Sequence, residues 1–435
     1  MLKKLWVLVF WINVNYFNLK TFDLNNLTRI KIAKVLKICQ NLNFLILAFT
    51  LSLPITLAWI FLIIGWLIEF FISLNIGLTR YFKYNIRPLV HKALVKPILI
   101  FALVNFLSGY VNGGLKEGWF SFISLKAMII YIYAIIVIQR YPNITVKAVQ
   151  CLILGGTLSA FTAIIQQSFG LHFTKFKYLQ ATGLNTTPMN LAGEMQIYAS
   201  LACMYWLKGG YLNFIKLIAN KYAFTILVII NLLGLFSTCE RSAIIGFILS
   251  LVLILAVLNR YVIKYLPLLL IFLAGVIYWF LPNLRLRLWA LWHWQTDISI
   301  LVRFKVWLIA VSNFLQSPVF GIGPRNFPHI YVPQIAVPYH ESYLHHAHSN
   351  YLQVLATLGI LGLICYFYFL FNIFYFGIKS YLANLNKSTM MAKHSYCLAL
   401  SIVLATLSLM ISGLFEYNFG SGQVRLLQMF LYGFI

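Results

Sequence analysis

Acidic side chains are the scarcest feature of this 435-residue chain: eight Asp and Glu stand against thirty-three Lys and Arg, and charged residues of both signs make up only 9%. A solvated domain surface calls for roughly 25% charged residues, so an ordinary soluble domain is excluded. The formal net charge of +25 reflects missing acids more than abundant bases. That speaks against a nucleic-acid-binding domain, whose cations would crowd onto one exposed face. Cysteine is also sparse. Cys39, Cys151, Cys203, Cys239, Cys365 and Cys397 are scattered without a CxxC pair, mostly inside apolar runs, which fits small packing residues rather than disulfides or zinc clusters. There is no phosphate-cradling glycine loop, no internal repeat and no low-complexity tract.

Apolar residues are plentiful, at 62% hydrophobic and 17% aromatic. A spanning helix needs roughly 20 apolar residues, and such runs recur from Phe44 to Leu74, Pro97 to Val111, Phe120 to Ile138, Ala148 to Phe169 and Pro188 to Leu207. They continue with Tyr222 to Thr238, Ser242 to Leu258, Leu266 to Leu281, Tyr351 to Phe376, Tyr396 to Leu414 and Leu426 to Ile435. The expected fold is all-α, a polytopic membrane bundle. Lys3, Lys4, Lys20, Arg29, Lys31, Lys34 and Lys37 precede the first run and Arg80, Lys83, Arg87, Lys92 and Lys96 follow it. Both flanks are cytoplasmic by the positive-inside rule, so that run crosses twice, as a hairpin turning near Pro54. The count becomes about 12 transmembrane helices with both ends inside. Alternate loops bear it out within the sequence: 22 of the 33 cations fall in inner loops, ten in outer ones, and Lys126 inside a span.

Residues 1–41 read as a basic cytoplasmic segment and 42–435 as a single membrane domain. Met1 to Tyr16 lacks a small-x-small cleavage site, so a short interfacial helix is expected there rather than a signal peptide. The one sizeable loop, about 283–350, is extracytoplasmic in this topology. It holds a basic aromatic stretch (Leu284 to Trp294) suited to the membrane surface, and an amphipathic helix from Ser299 to Leu315 that ends before Ser317-Pro318.

Three polar features distant in sequence converge on the outer face: Arg241 in the short connector FSTCERSA, Arg303 in RFKVW, and His348 in YLHHAHSN. Guanidinium forks match phosphate oxygens bidentately, although a snorkelling anchor or a solvated helix face would also place an arginine there. Glu240 is either the ion-pair partner of Arg241 or a further acid of the site. A neutral histidine is a suitable general base for a hydroxyl, the plain alternative being a polar residue in a wet loop. His340, His345, His346 and His348 with Glu341 fall close together, but H-x4-H-H-x-H matches no standard zinc spacing, and no metal is expected. Glu194 would line the floor of an outer cavity, whereas Glu69 lies too far inward. Either acid could instead simply be paired or protonated.

The segment HSNYLQVLATLGILG (His348 to Gly362) resembles the signature of the O-antigen ligase and O-antigen polymerase family, with His348, Ser349, Gly359 and Gly362 filling it. RFKVW followed by SPVFGIGPRNF, CERSAIIGF, and LFEYNFGSGQVRLL (Leu414 to Leu427) resemble further family segments, so the likeness covers about residues 180–430. The resemblance implies a membrane glycosyltransferase that moves a glycan from a polyprenyl diphosphate donor to a hydroxyl of a lipid or sugar acceptor, without metal, nucleotide or other cofactor. It implies diphosphate binding by Arg241 and Arg303 and acceptor activation by His348. Arg325, where the family commonly has a small residue, is either a further phosphate contact or incidental. The expected setting is a bacterial-type inner membrane, or a plastid membrane if the gene is organellar. The rival reading is an anion transporter, for inorganic carbon or another anion, fed by a cationic vestibule. Such a transporter would show paired halves with broken helices near mid-bilayer.

Overall fold

The computed structural model describes residues 26–171, 180–210, 220–259, 282–289, 297–329 and 345–435, with isolated positions between 260 and 295. Among these residues every regular element is helical and there is no strand. The expected N-terminal interfacial helix, most of the expected span 266–281, His340 and Glu341 lie outside the described residues.

Helices α1 (Asn26–Thr50) and α2 (Ile55–Ile76) form the expected hairpin, broken at 51–54 with Pro54 preceding α2. The first helix begins well before residue 41, so Arg29, Lys31, Lys34 and Lys37 ride on its early turns. After irregular helical turns over 78–91 comes α3 (Val95–Ile123), which reverses at Gly113 and Gly114, where helical dihedrals are lost. A single 3₁₀ turn, Lys126–Met128, then leads into α4 (Ile129–Arg140) and α5 (Ile144–Phe169). Thus the two runs expected at 97–111 and 120–138 are the arms of one hairpin, the second of them interrupted at 124–128.

Helix α6 (Pro188–Leu207) packs against α5, α7 (Lys221–Ser237), α8 (Arg241–Leu258), α12 (Met390–Ser412) and α13 (Gly422–Tyr432). Nearly every side chain from Leu191 to Tyr205 is buried. Protein rather than lipid surrounds it, which is why it can carry Asn190, Glu194 and Gln196 and falls short of the apolarity of a lone membrane crossing. Past the short α9 (Pro282–Trp289), helix α10 (Ile298–Gln316) matches the helix expected at 299–315.

Helix α11 (Asn350–Asn384) is two arms. Gly359, at φ +67° and ψ −165°, ends the first arm, and a Cβ there would lie 2.3 Å from the Val319 carbonyl oxygen. The carbonyls that the first arm leaves without helical donors are met by other chain segments. The amides of Ile322 and Gly323 donate to Ala356 O and Thr357 O at 3.0 Å each, and Ser108 Oγ lies 2.9 Å from Thr357 O. The turn GIGPRNF is therefore a dock for a broken helix.

Eight stretches among the described residues are long and apolar enough to cross a membrane, and Lys221–Ser237 is a shorter apolar helix. The chain is an integral multi-pass membrane protein. These eight include Ser299–Gln316, which the sequence pattern assigned to a loop, and they omit α13, whose eleven residues extend only about 16 Å.

Candidate active site

His348 stands immediately before α11, at φ +46°, a left-handed conformation that a non-glycine residue holds only where its surroundings enforce it. They do so on both sides. Ser349 caps the helix, its Oγ accepting from Leu352 N at 3.4 Å. Asn350 N donates to Gly413 O at 2.8 Å, and Asn350 Oδ1 accepts from Phe419 N at 3.0 Å. The turn before α11 and the loop 413–421 are thereby latched together, and His348 is only 7% exposed.

The latch brings Glu416 to His348, with Oε1 3.4 Å from the imidazole Nδ1. The other carboxylate oxygen lies 3.3 Å from Arg303 Nη2, and Arg303 Nε donates to Phe415 O at 3.1 Å. Burial pushes the Glu416 carboxyl up, but His348, Arg303 and His346 outweigh it and hold the group down at about 2. His346 packs its ring against His348 with centroids 4.2 Å apart. Desolvation, reinforced by the neighbouring His348, lowers the His346 imidazole to about 4.

Arg241 is the first residue of α8 and pairs with Asp297, Nη1 to Oδ2 at 2.9 Å. The other Asp297 oxygen caps α10 by accepting from Ser299 N at 2.9 Å. Arg303 Nη1 donates to Ser299 O at 3.2 Å, so the start of α10 ties the two arginines into a continuous chain: Arg241 to Asp297, through Ser299 to Arg303, and on to Glu416 and His348. A narrow cleft runs beside this chain, lined by Gly193 and Gln196 of α6, Glu240 and Ser242 at the start of α8, and Ser412 and Glu416.

The structure thus gathers three of the five residues singled out from sequence, Arg241, Arg303 and His348, into one linked cluster. Glu194 is fully buried and receives a hydrogen bond from Asn185 Nδ2 at 2.9 Å, away from the lining of the cleft that its neighbours Gly193 and Gln196 share. Arg325 pairs with Glu117 at 3.2 Å and lies over the Phe120 ring, fastening the docking turn to the α3 hairpin. Glu240 accepts from Gln180 Nε2 at 2.7 Å.

Sequence reasoning missed Glu416 and Asp297. A signal existed: acids are so few that each arginine of the site needed one, and four of the six acids with described positions do meet an arginine. Ligand atoms of His346, His348 and Glu416 lie within 4.8 Å of one another and could hold an ion, although the Arg303 charge on the same carboxylate opposes a cation there.

Fold and site together define a multi-pass helical membrane protein with a buried histidine–carboxylate–arginine cluster at one end of its bundle. Residues 226–367, about a third of the chain, match the family model described as O-antigen ligase. Among curated proteins none matches the sequence. The matched stretch contains Arg241, Asp297, Arg303 and His348, while Glu416 comes to the site from beyond it.

Proposed function

We propose that the protein is a glycosyltransferase of ligase or polymerase type, working at the extracytoplasmic face of a bacterial-type inner membrane, or of a plastid membrane if organelle-encoded. It takes a glycan from a polyprenyl diphosphate and joins it to a hydroxyl of a lipid or sugar acceptor. The 22 to 10 loop bias supports twelve spans with the 283–350 segment and the cluster outside. The observation that carries the reading is the continuous chain from Arg241 to His348, which sets phosphate-binding guanidiniums beside a hydroxyl-activating base.

In this reaction His348 accepts the acceptor hydroxyl proton as the oxygen attacks the anomeric carbon. The bond from that carbon to the diphosphate oxygen breaks, its electron pair leaves with the diphosphate, and the configuration inverts. Negative charge grows on the leaving group, so preplaced guanidiniums favour the transition state over the bound donor. Glu416 fixes the imidazole by its Nδ1 side and leaves Nε2 for the acceptor. Asp297 and Glu416 hold the arginines in place until the diphosphate takes over part of their hydrogen bonding.

A reconstituted transfer assay with a polyprenyl diphosphate-linked oligosaccharide tests the reading. His348→Ala is expected to lose about 10²- to 10⁴-fold in rate, the usual worth of a positioned general base. Full transfer by His348→Ala or by Arg241→Ala would overturn it.

A further inference from the structure

Arg425 and Lys126 are cations that the cluster does not use. Arg425 lies in the first turn of α13, where the helix dipole adds positive potential. Its Nη1 donates to Ser124 O at 3.2 Å and its Nη2 to Gly420 O at 3.0 Å, while Nε is buried without a hydrogen-bond partner. Lys126 sits in the 3₁₀ turn that interrupts the second arm of the α3 hairpin, its Nζ 5.5 Å from the centroid of the Trp59 ring. Among the described residues neither cation pairs with an acid, whereas Arg140, Arg241, Arg303 and Arg325 each do.

The elements that carry them are neighbours, since α13 packs on the 3₁₀ turn, and Ser124, the acceptor for Arg425, is two residues from Lys126. Ser124 is exposed, while Arg425 is half-buried against it. Beside it Phe122 and Ile123 are 43% and 54% exposed, an apolar stretch of surface next to Ser124. Lys126 is fourteen residues from Arg140, and the twelve-residue helix Ile129–Arg140 between them rises about 18 Å, somewhat over half of a hydrocarbon core. Charges at such depth are rare and mark ligand paths more often than anchors. On its other side Arg425 covers the Phe419 ring at 5.5 Å, and Phe419 N is hydrogen-bonded to Asn350, next to His348. Arg425 thus stands between the exposed apolar side chains beside Ser124 and the loop that holds Glu416.

We propose that Lys126 and Arg425 form a second anion site, which takes the phosphate of a membrane lipid at the apolar surface beside Ser124. A lipid phosphate supplies the counter-charge that both cations lack, and its chains lie along Phe122 and Ile123. Two lipids carry this chemistry, a polyprenyl phosphate and an anionic glycerophospholipid. Under the proposed function the first would be the donor on its way to Arg241, but the site itself does not depend on the transfer reaction.

Native mass spectrometry of the full chain, titrated separately with undecaprenyl monophosphate, phosphatidylglycerol and phosphate-free diacylglycerol, tests it. The wild type is expected to hold one more phosphate lipid than Lys126→Gln/Arg425→Gln, with retention falling about fivefold for each cation removed. The exposed Lys126→Gln alone, which breaks no hydrogen bond, covers the case that Arg425→Gln fails to fold. Stronger retention of undecaprenyl monophosphate identifies a donor path; equal retention of phosphatidylglycerol identifies a general lipid-phosphate site. Unchanged retention in both variants, or equal retention of diacylglycerol, would overturn the proposal. If His348→Ala kept full transfer while the double variant still lost the extra lipid, the functional reading would fail and this site would stand.

Discussion

The His348 imidazole and the Glu416 carboxylate face each other at 3.4 Å, although 68 residues separate them in the chain and hydrogen bonds from Asn350 and Ser349 join their loops. A base held by a carboxylate keeps one tautomer and one orientation, so Glu416 is expected to act through His348. Glu416→Gln should lower kcat about tenfold or more while changing KM little, within the range general-base catalysis spans. Initial-rate kinetics on the reconstituted protein checks this, and an effect confined to KM would instead place Glu416 in binding.

Asp297 competes with any anion for Arg241, to which it lies at 2.9 Å. Asn caps a helix about as well as Asp, so Asp297→Asn keeps the start of α10 and removes only the charge. The expected outcome is a lower KM for the donor with a stability loss of about 1 kcal/mol, near the worth of one hydrogen bond. A higher KM would show that Asp297 holds Arg241 in its binding posture.

Gly359 is expected to accept no side chain. An added methyl would meet the Val319 carbonyl at 2.3 Å and force φ away from +67°, separating the docking turn from the first arm of α11. Gly359→Ala should therefore destabilise the protein by about 1–3 kcal/mol, the scale of a forced backbone conformation. Thermal unfolding in detergent measures this, and an unchanged midpoint would contradict the described break.

Much of this was legible in the sequence, and the gaps have physical causes. The Pro54 hairpin could be read because loop charge and hydrophobic length both demanded two crossings. The break in α11 could not: Gly359 lies within an unbroken apolar run, and only the donors from Ile322, Gly323 and Ser108 make an interruption tolerable. Helix α6 reads as a membrane span by its flanks, yet its surroundings are protein. Arg241, Arg303 and His348 stood out as polar residues at membrane boundaries. Their carboxylate partners did not, because pairing across 56 residues for Asp297 and 113 for Glu416 is a property of packing. The same holds for Arg325, whose partner Glu117 lies 208 residues away.

Two pH windows follow from the cluster. His346 is depressed from 6.5 to about 4, so the unfolded chain binds the proton more readily and stability falls as pH drops from 6.5 towards 4. Glu416 is depressed from 4.5 to about 2. Its contribution is present above 4.5 and is lost as pH falls towards 2. Thermal midpoints measured across this range should flatten in the upper window for His346→Gln and in the lower one for Glu416→Gln. Parallel curves for wild type and both variants would contradict the assignments.

At the other end of the bundle, separated from the cluster by the length of α5, Glu69 meets Arg140 at 3.0 Å and accepts from Tyr81 at 2.7 Å. Removing one partner of such a buried pair destabilises by about 3–5 kcal/mol. Arg140→Gln is therefore expected to lower the unfolding midpoint while leaving transfer per folded molecule unchanged. A loss of specific activity at full folding would tie this end of the bundle to the reaction.

The most direct measurement is an experimental structure with a polyprenyl diphosphate bound. The account predicts the diphosphate between Arg241 and Arg303, within hydrogen-bond distance of both guanidiniums, with Asp297 released from Arg241 and the His348 Nε2 facing the anomeric position. A diphosphate seated elsewhere, with both Arg241–Asp297 and Arg303–Glu416 pairs intact, would contradict it.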